Sequence, residues 1–188
     1  MPPDPSKSDA PIVLRGSLLI ADPSLRDGTF DRSVILLTAH GPDEGAAGLI
    51  LNQPTGRVVG DFLKGEEFTN LRHLPVHSGG PVMREQMTFS SFWWSKKLGL
   101  RWATRISAEQ AAQQARKPGR VVRAFIGYSG WSPGQLENEL QRQSWFPVDP
   151  RPDLLGHEHD RSLWSALLRG MSPFHRILAE APEDPFLN

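Results

Sequence analysis

The stretch Phe125-Ile-Gly-Tyr-Ser-Gly-Trp-Ser-Pro-Gly-Gln-Leu-Glu-Asn-Glu-Leu140 constrains the fold more than any other, because an apolar run breaks at closely spaced glycines and resumes as a helix. Residues 121–126 are β-branched and aromatic, the composition of a buried strand. Gly127, Gly130 and Gly134 permit backbone angles or close approaches that a β-carbon forbids. Ser132-Pro-Gly-Gln135 then fits a capping box, in which Ser132 accepts from the N3 amide, Gln135 reaches back to the Ser132 amide, and Pro133 sits at N1. The expectation is a strand-to-helix turn. Backbone donors at such a helix start suit an anion, and the competing reading is a structural corner with Trp131 packed over it. Ser129 lacks the glycine two residues on that a nucleophile elbow carries, and no base pairs with it.

Short apolar runs lie upstream. Residues 16–21, 33–39 and 46–51 read as strands closed by the turn signals Asp22-Pro23, His40-Gly-Pro42 and Asn52-Gln-Pro54. They are continuously apolar rather than alternating, which places them in the middle of a sheet covered on both faces. Their short spacing gives hairpins, since parallel crossovers need a dozen or more residues. Residues 58–63 start a short helix. Leu74-Pro-Val-His77 and Met87-Thr-Phe-Ser-Ser-Phe-Trp93 are expected to pair as a hairpin around Ser78-Gly-Gly-Pro81. Ser107-Ala-Glu-Gln110 is a second capping box, opening a helix that Pro118-Gly119 stops. A third helix starts at Ser132. Asp160 or Ser162 caps a fourth, ended by a left-handed Gly170, and Ser172-Pro173 opens the last. The expected fold class is α+β: a single domain, residues 14–188, of mostly antiparallel sheet flanked by helices, after a proline-rich tail over residues 1–13.

Glycine-studded motifs carry a family likeness. The Gly-Tyr-x-Gly-Trp-x-x-Gly-Gln-Leu-Glu-x-Glu string, with Asn52-Gln-Pro54 and Ser78-Gly-Gly-Pro-Val82 upstream, resembles the YqgE/AlgH family, whose members carry a transcriptional-regulator label. The resemblance covers most of residues 14–169 and implies coiled, partly split antiparallel sheets flanked by helices. His40 after the second strand and Asn52 after the third match the family pattern. The chain ends Pro182-Glu-Asp-Pro-Phe-Leu-Asn188 instead of in the Gly-His-Ala tail common among relatives, so nothing assigned to that tail carries over.

Composition narrows the chemistry. Cysteine is absent, which removes thiol catalysis, disulfides and cysteine-held metal centres from this chain. Acids and bases balance at 21 each, so the whole molecule is no polyanion binder. The first eleven residues lack the apolar region of a signal peptide, no stretch reaches the length of a membrane span, and a cytoplasmic protein is expected. Phosphate-loop, dinucleotide, kinase and His-Glu-x-x-His motifs are missing. His157-Glu-His159-Asp160 could hold zinc only with a third ligand, and none stands out, so neither metal nor cofactor is expected. His40 shares a turn with Asp43 and Glu44, at a spacing that suits an exposed loop. Glu137 and Glu139 point to different sides of one helix.

Two functional readings follow. The first is a non-catalytic binding or regulatory module for a protein or small-molecule ligand. Its candidate site is a concave surface lined by three turns, with Asn52, Gly79, Gly80, Tyr128, Gly130, Trp131 and Gln135 supplying the groups. The second is nucleic-acid binding through residues 95–123, which hold eight bases against one acid. There Lys96, Lys97, Arg101 and Arg105 sit among Phe92, Trp93, Trp94 and Trp102, an interleaving used for single strands. The acidic C-terminal segment offers to neutralise that charge in the folded chain, and no helix-turn-helix signal accompanies it.

Overall fold

The computed structural model describes Val13–Glu180; the expected tail over residues 1–13 and the sequence end beyond residue 180 lie outside the described residues but for Val13. Among them the strands are β1 (Leu18–Ala21), β2 (Val34–Gly41), β3 (Gly45–Ile50), β4 (Pro54–Val58), β5 (Pro75–Ser78), β6 (Val82–Ser95), β7 (Gly99–Ile106), β8 (Arg120–Trp131) and β9 (Trp145–Val148). The helices are α1 (Val59–Phe62), α2 (Ala108–Ala115), α3 (Gln135–Gln141), α4 (Arg161–Arg169) and α5 (Pro173–Ala179). This is the α+β class expected from the sequence. No helix among the described residues is long and apolar enough to cross a membrane.

Strand β8 belongs to two sheets at once. Its first part pairs with β6 and, in parallel, with β5, extending to β7 and β4. Its last part, Ser129 to Trp131, pairs with β3 in the order β3-β2-β1-β9. The strand therefore runs straight through the glycine signature, and the expected turn at Gly127 is instead a bend within it. Gly127 takes φ +68°, and a β-carbon there would lie 2.4 Å from the Gly80 carbonyl oxygen and 2.8 Å from that of Val82. Only glycine meets both demands.

The expected hairpin between residues 74–77 and 87–93 does not form. β8 lies between β5 and β6, and the link between them crosses β8 at Gly79 and Gly80. A β-carbon on Gly80 would sit 2.3 Å from the Tyr128 carbonyl. The Gly79 amide donates to Ile126 O, and its carbonyl accepts from Ile50 N and Ser129 Oγ. A pattern of apolar runs cannot reveal that a third strand intervenes, which is why local spacing misled. The sequence reading also left residues 54–58, 99–106 and 145–148 without strands.

Helix starts followed local chemistry more closely. Ser107 Oγ accepts from Gln110 N, and the Ser107 amide donates back to Gln110 Oε1. Asp160 caps α4 through the Ser162 amide, and Ser172 caps α5 through that of His175. At α3 only half the box forms: the Ser132 amide donates to Gln135 Oε1, while Gly134 at φ +78° is the N-cap. Gly170 ends α4 in a right-handed conformation, φ −79°, so the expected left-handed stop is corrected; its amide bonds back to the Leu167 carbonyl, closing the last turn without a change of hand.

The signature's second half is a clamp. Glu139 Oε2 on α3 accepts from the indoles of Trp131 (2.8 Å) and Trp145 (2.7 Å), and Oε1 accepts from Gln135 Nε2. One carboxylate so ties β8, α3 and β9 over a core of Ile35, Ile50 and Leu136. A second cluster draws on both sheets and α4, whose fully buried Trp164 donates to Ala21 O.

Two stability outcomes follow. Gly127→Ala should cost roughly 3 kcal/mol or more, since backbone must move as well as strain be borne, whereas Gly28→Ala, left-handed with nothing within 4 Å, should cost only about 1–2 kcal/mol. Glu139→Ala should cost about 2–4 kcal/mol by stranding two indole donors, with Glu139→Gln closer to 1 because its carbonyl still accepts. Urea unfolding measures both pairs.

Candidate ligand-binding site

Three hydrogen bonds bring the three predicted turns together: Ser78 N to Gln53 O, Ile50 N to Gly79 O, and Ser129 Oγ to Gly79 O. Their meeting point is packed backbone, and the candidate side chains diverge from it. Asn52 is buried and spent on β2, its Oδ1 accepting from Val34 N and its Nδ2 donating to Arg32 O. Gly79 and Gly80 make the crossing. Trp131 and Gln135 are joined to Glu139, and Gly130 is exposed on β8. Tyr128 faces a cavity built mainly from other residues, and Asn52 borders a separate polar cleft.

That cavity holds about 250 Å³ between β2–β3 and β6–β8. Its wall is made where ladders lose register. β2 slips between Leu37 and Ala39, leaving Thr38 as the extra residue. β6 slips between Val82 and Met87, and β7 has Arg105 as the extra residue opposite Phe89 and Ser90. Thr38, Met83, Gln86 and Arg105 all line the cavity. Met83 (φ +53°) and Arg105 (φ +54°) are left-handed, a conformation that costs about 1–2 kcal/mol without glycine. The Arg105 guanidinium lies 5.6 Å from the Tyr128 ring centroid. Deeper in, Ser90 is fully buried and its Oγ has no hydrogen-bond partner. Bulges and cross-strand slips leave no mark on composition, so of this lining the sequence singled out Tyr128 as a ligand candidate and Arg105 as a nucleic-acid one, and neither Met83 nor Ser90.

A larger, polar cleft of about 810 Å³ includes Asn52, Gln53 and Asp160. These groups are engaged within the chain: Gln53 Nε2 donates to Thr29 O and Asp160 caps α4.

Other candidates separate. Lys96 and Lys97 sit at the β6–β7 turn, while Arg105 lies at the far end of β7, about 25 Å away at strand rise. Arg101 lies between them, opposite Trp93, whose ring is covered by Arg120 at 3.6 Å; Arg15 lies over Trp102. His40 Nδ1 accepts from Leu14 N, which leaves Nε2 to donate to Glu137 Oε1, so both ring nitrogens are occupied. A hydrogen bond from its own backbone amide, and then the His40 bond, hold the Glu137 carboxyl below the usual range. His157 and His159 part: His157 is exposed near Asp153, and His159 turns inward to Leu154 O. Among the described residues no three His, Asp or Glu side chains gather around one point as a metal site would require.

His159 instead joins His77 and Arg123. Burial, then the neighbouring Arg123 guanidinium, pushes each imidazole down to about 4. Carbonyls of His159 and Pro75 partly offset this at His77, and that of Leu154 at His159. Burial also lowers Arg123 to about 10. Because the folded imidazoles bind protons less readily than unfolded ones, stability is complete above about pH 6.5 and is lost as pH falls towards 4. The acid loss should be on the order of 3 kcal/mol for each imidazole. His77→Gln with His159→Gln should flatten that part of the urea-midpoint profile; an unchanged slope would show that other groups cause it.

The family described as AlgH-like matches residues 18–174. A UPF0301 protein of Streptomyces avermitilis is 33% identical, covering 93% of this chain and 95% of its own. A UPF0301 protein of Bacteroides thetaiotaomicron is 30% identical, covering 93% and 91%. The solution structure of the AlgH protein from Pseudomonas aeruginosa superposes with a TM-score of 0.65 at 26% identity, over 95% of this chain and 100% of that one. A crystal structure from Corynebacterium diphtheriae, 21% identical with a TM-score of 0.68 over 88% and 91%, shares the fold. With the signature residues, this match over most of its length makes the chain a member of the AlgH-like family.

Proposed function

We propose that the protein is a non-catalytic, regulatory binding module of the cytoplasm that takes a small ligand in the 250 Å³ cavity beside Tyr128. One observation carries this reading: of four register shifts in the strand ladders among the described residues, three border this cavity. Bulges re-aim side chains and are common beside functional sites, and strained non-glycine residues persist where surrounding structure holds them for use. The volume suits a compact metabolite rather than a drug-sized one. The arrangement offers recognition more than reaction, since Ser129 Oγ is bonded to a carbonyl and His40 is bonded at both nitrogens.

A fragment screen followed by amide NMR tests this. Hits should move Thr38, Thr88, Ser90 and Thr104 together. Thr104→Val keeps the shape and removes a hydroxyl from the cavity wall, so folding should stay within about 1 kcal/mol of the parent while hits weaken tenfold or more, about 1.4 kcal/mol. Shifts clustered in the polar cleft or at the Lys96–Lys97 turn would overturn the site. Turnover of a substrate that cavity substitutions abolish would overturn the non-catalytic role.

A further inference from the structure

The charge around the cavity specifies its ligand further. Among the described residues that line it, Arg105 is the one charged side chain, and no carboxylate faces it across the space. Arg105 is placed by the β7 bulge in a backbone conformation that glycine would adopt with less strain, and its guanidinium is held over Tyr128. Its fork of N–H donors matches a carboxylate in two parallel bonds. Thr104 beside it is exposed on the same wall, while Ser90, its cross-strand neighbour, is sealed from the cavity.

Resting on the cavity being the binding site, we propose that its ligand is a compact monocarboxylic acid. The carboxylate pairs with Arg105 at the rim. Tyr128, Met83 and Leu49 cover the carbon skeleton. Arg105 is the specificity-determining residue, because the neutral amide of the same acid fits the same space without answering its charge.

Two acid and amide pairs test this by NMR titration and thermal shift: 4-hydroxybenzoate with 4-hydroxybenzamide, and 2-hydroxybutanoate with 2-hydroxybutanamide. At least one acid should shift Arg105 and Thr104 and bind tenfold or more tighter than its amide, with the gap narrowing as salt is raised. Arg105→Gln should bring the acid down to the level of its amide. Arg105→Gly should raise the melting temperature by relieving the left-handed backbone and still abolish the preference, an outcome that a purely structural arginine would not give. Amides binding in the cavity as tightly as acids would overturn the carboxylate assignment and leave the cavity reading standing. Acids shifting only residues outside the cavity, with the fragment screen also missing it, would overturn both.

Discussion

The close approach of Gly79 and Gly80 to β8 at Gly127 and Tyr128 is the constraint on which the rest depends. There the link from β5 to β6 passes over a strand that is leaving one sheet for another, with a single carbonyl at Gly79 tied to β3 and to Ser129. Without the crossing β6 would pair beside β5, and β8 could not join β3. Because β8 serves both sheets, their facing sides share one core, with Leu36 and Leu49 from one and Phe92 from the other gathered around Phe125 of β8 itself.

A strand that bends between sheets cannot keep uniform register with its neighbours. The slips at Thr38, at Met83 to Gln86 and at Arg105 surround the bend, and between them they leave a space lined by hydroxyls and one arginine. The residues that most clearly mark the family are spent on architecture. Gly127 makes the bend, Gly134 starts α3, and Trp131, Gln135 and Glu139 lock α3 against β9. The proposed function then belongs to less conspicuous residues beside them, which fits the general separation of fold from site.

What could be read from the sequence had local causes. Continuous apolar runs gave β1, β2 and β3, and capping chemistry gave the starts of α2, α4 and α5, because a hydroxyl or carboxylate two or three residues before an amide acts wherever the chain goes. Glu137 and Glu139 facing apart also followed from helix geometry. Strand pairing at β5 and β6 did not, since it depends on β8 some forty residues away. The three turns do meet, yet which of their side chains would face open space was set by bulges and by the partners of Asn52, Trp131 and Gln135. Ser90 looks in sequence like any serine in a strand; its missing partner exists only in three dimensions.

We have proposed that the irregular ladders around β8 build a receptor for an acid, and a crystal structure of the protein grown with 4-hydroxybenzoate bears on this most directly. Density for the acid is expected beneath Tyr128, with its carboxylate in hydrogen-bond reach of the Arg105 guanidinium and with Met83 and Arg105 still left-handed. Ordered water alone in that cavity, with Arg105 relaxed to an ordinary strand conformation, would rule the receptor out.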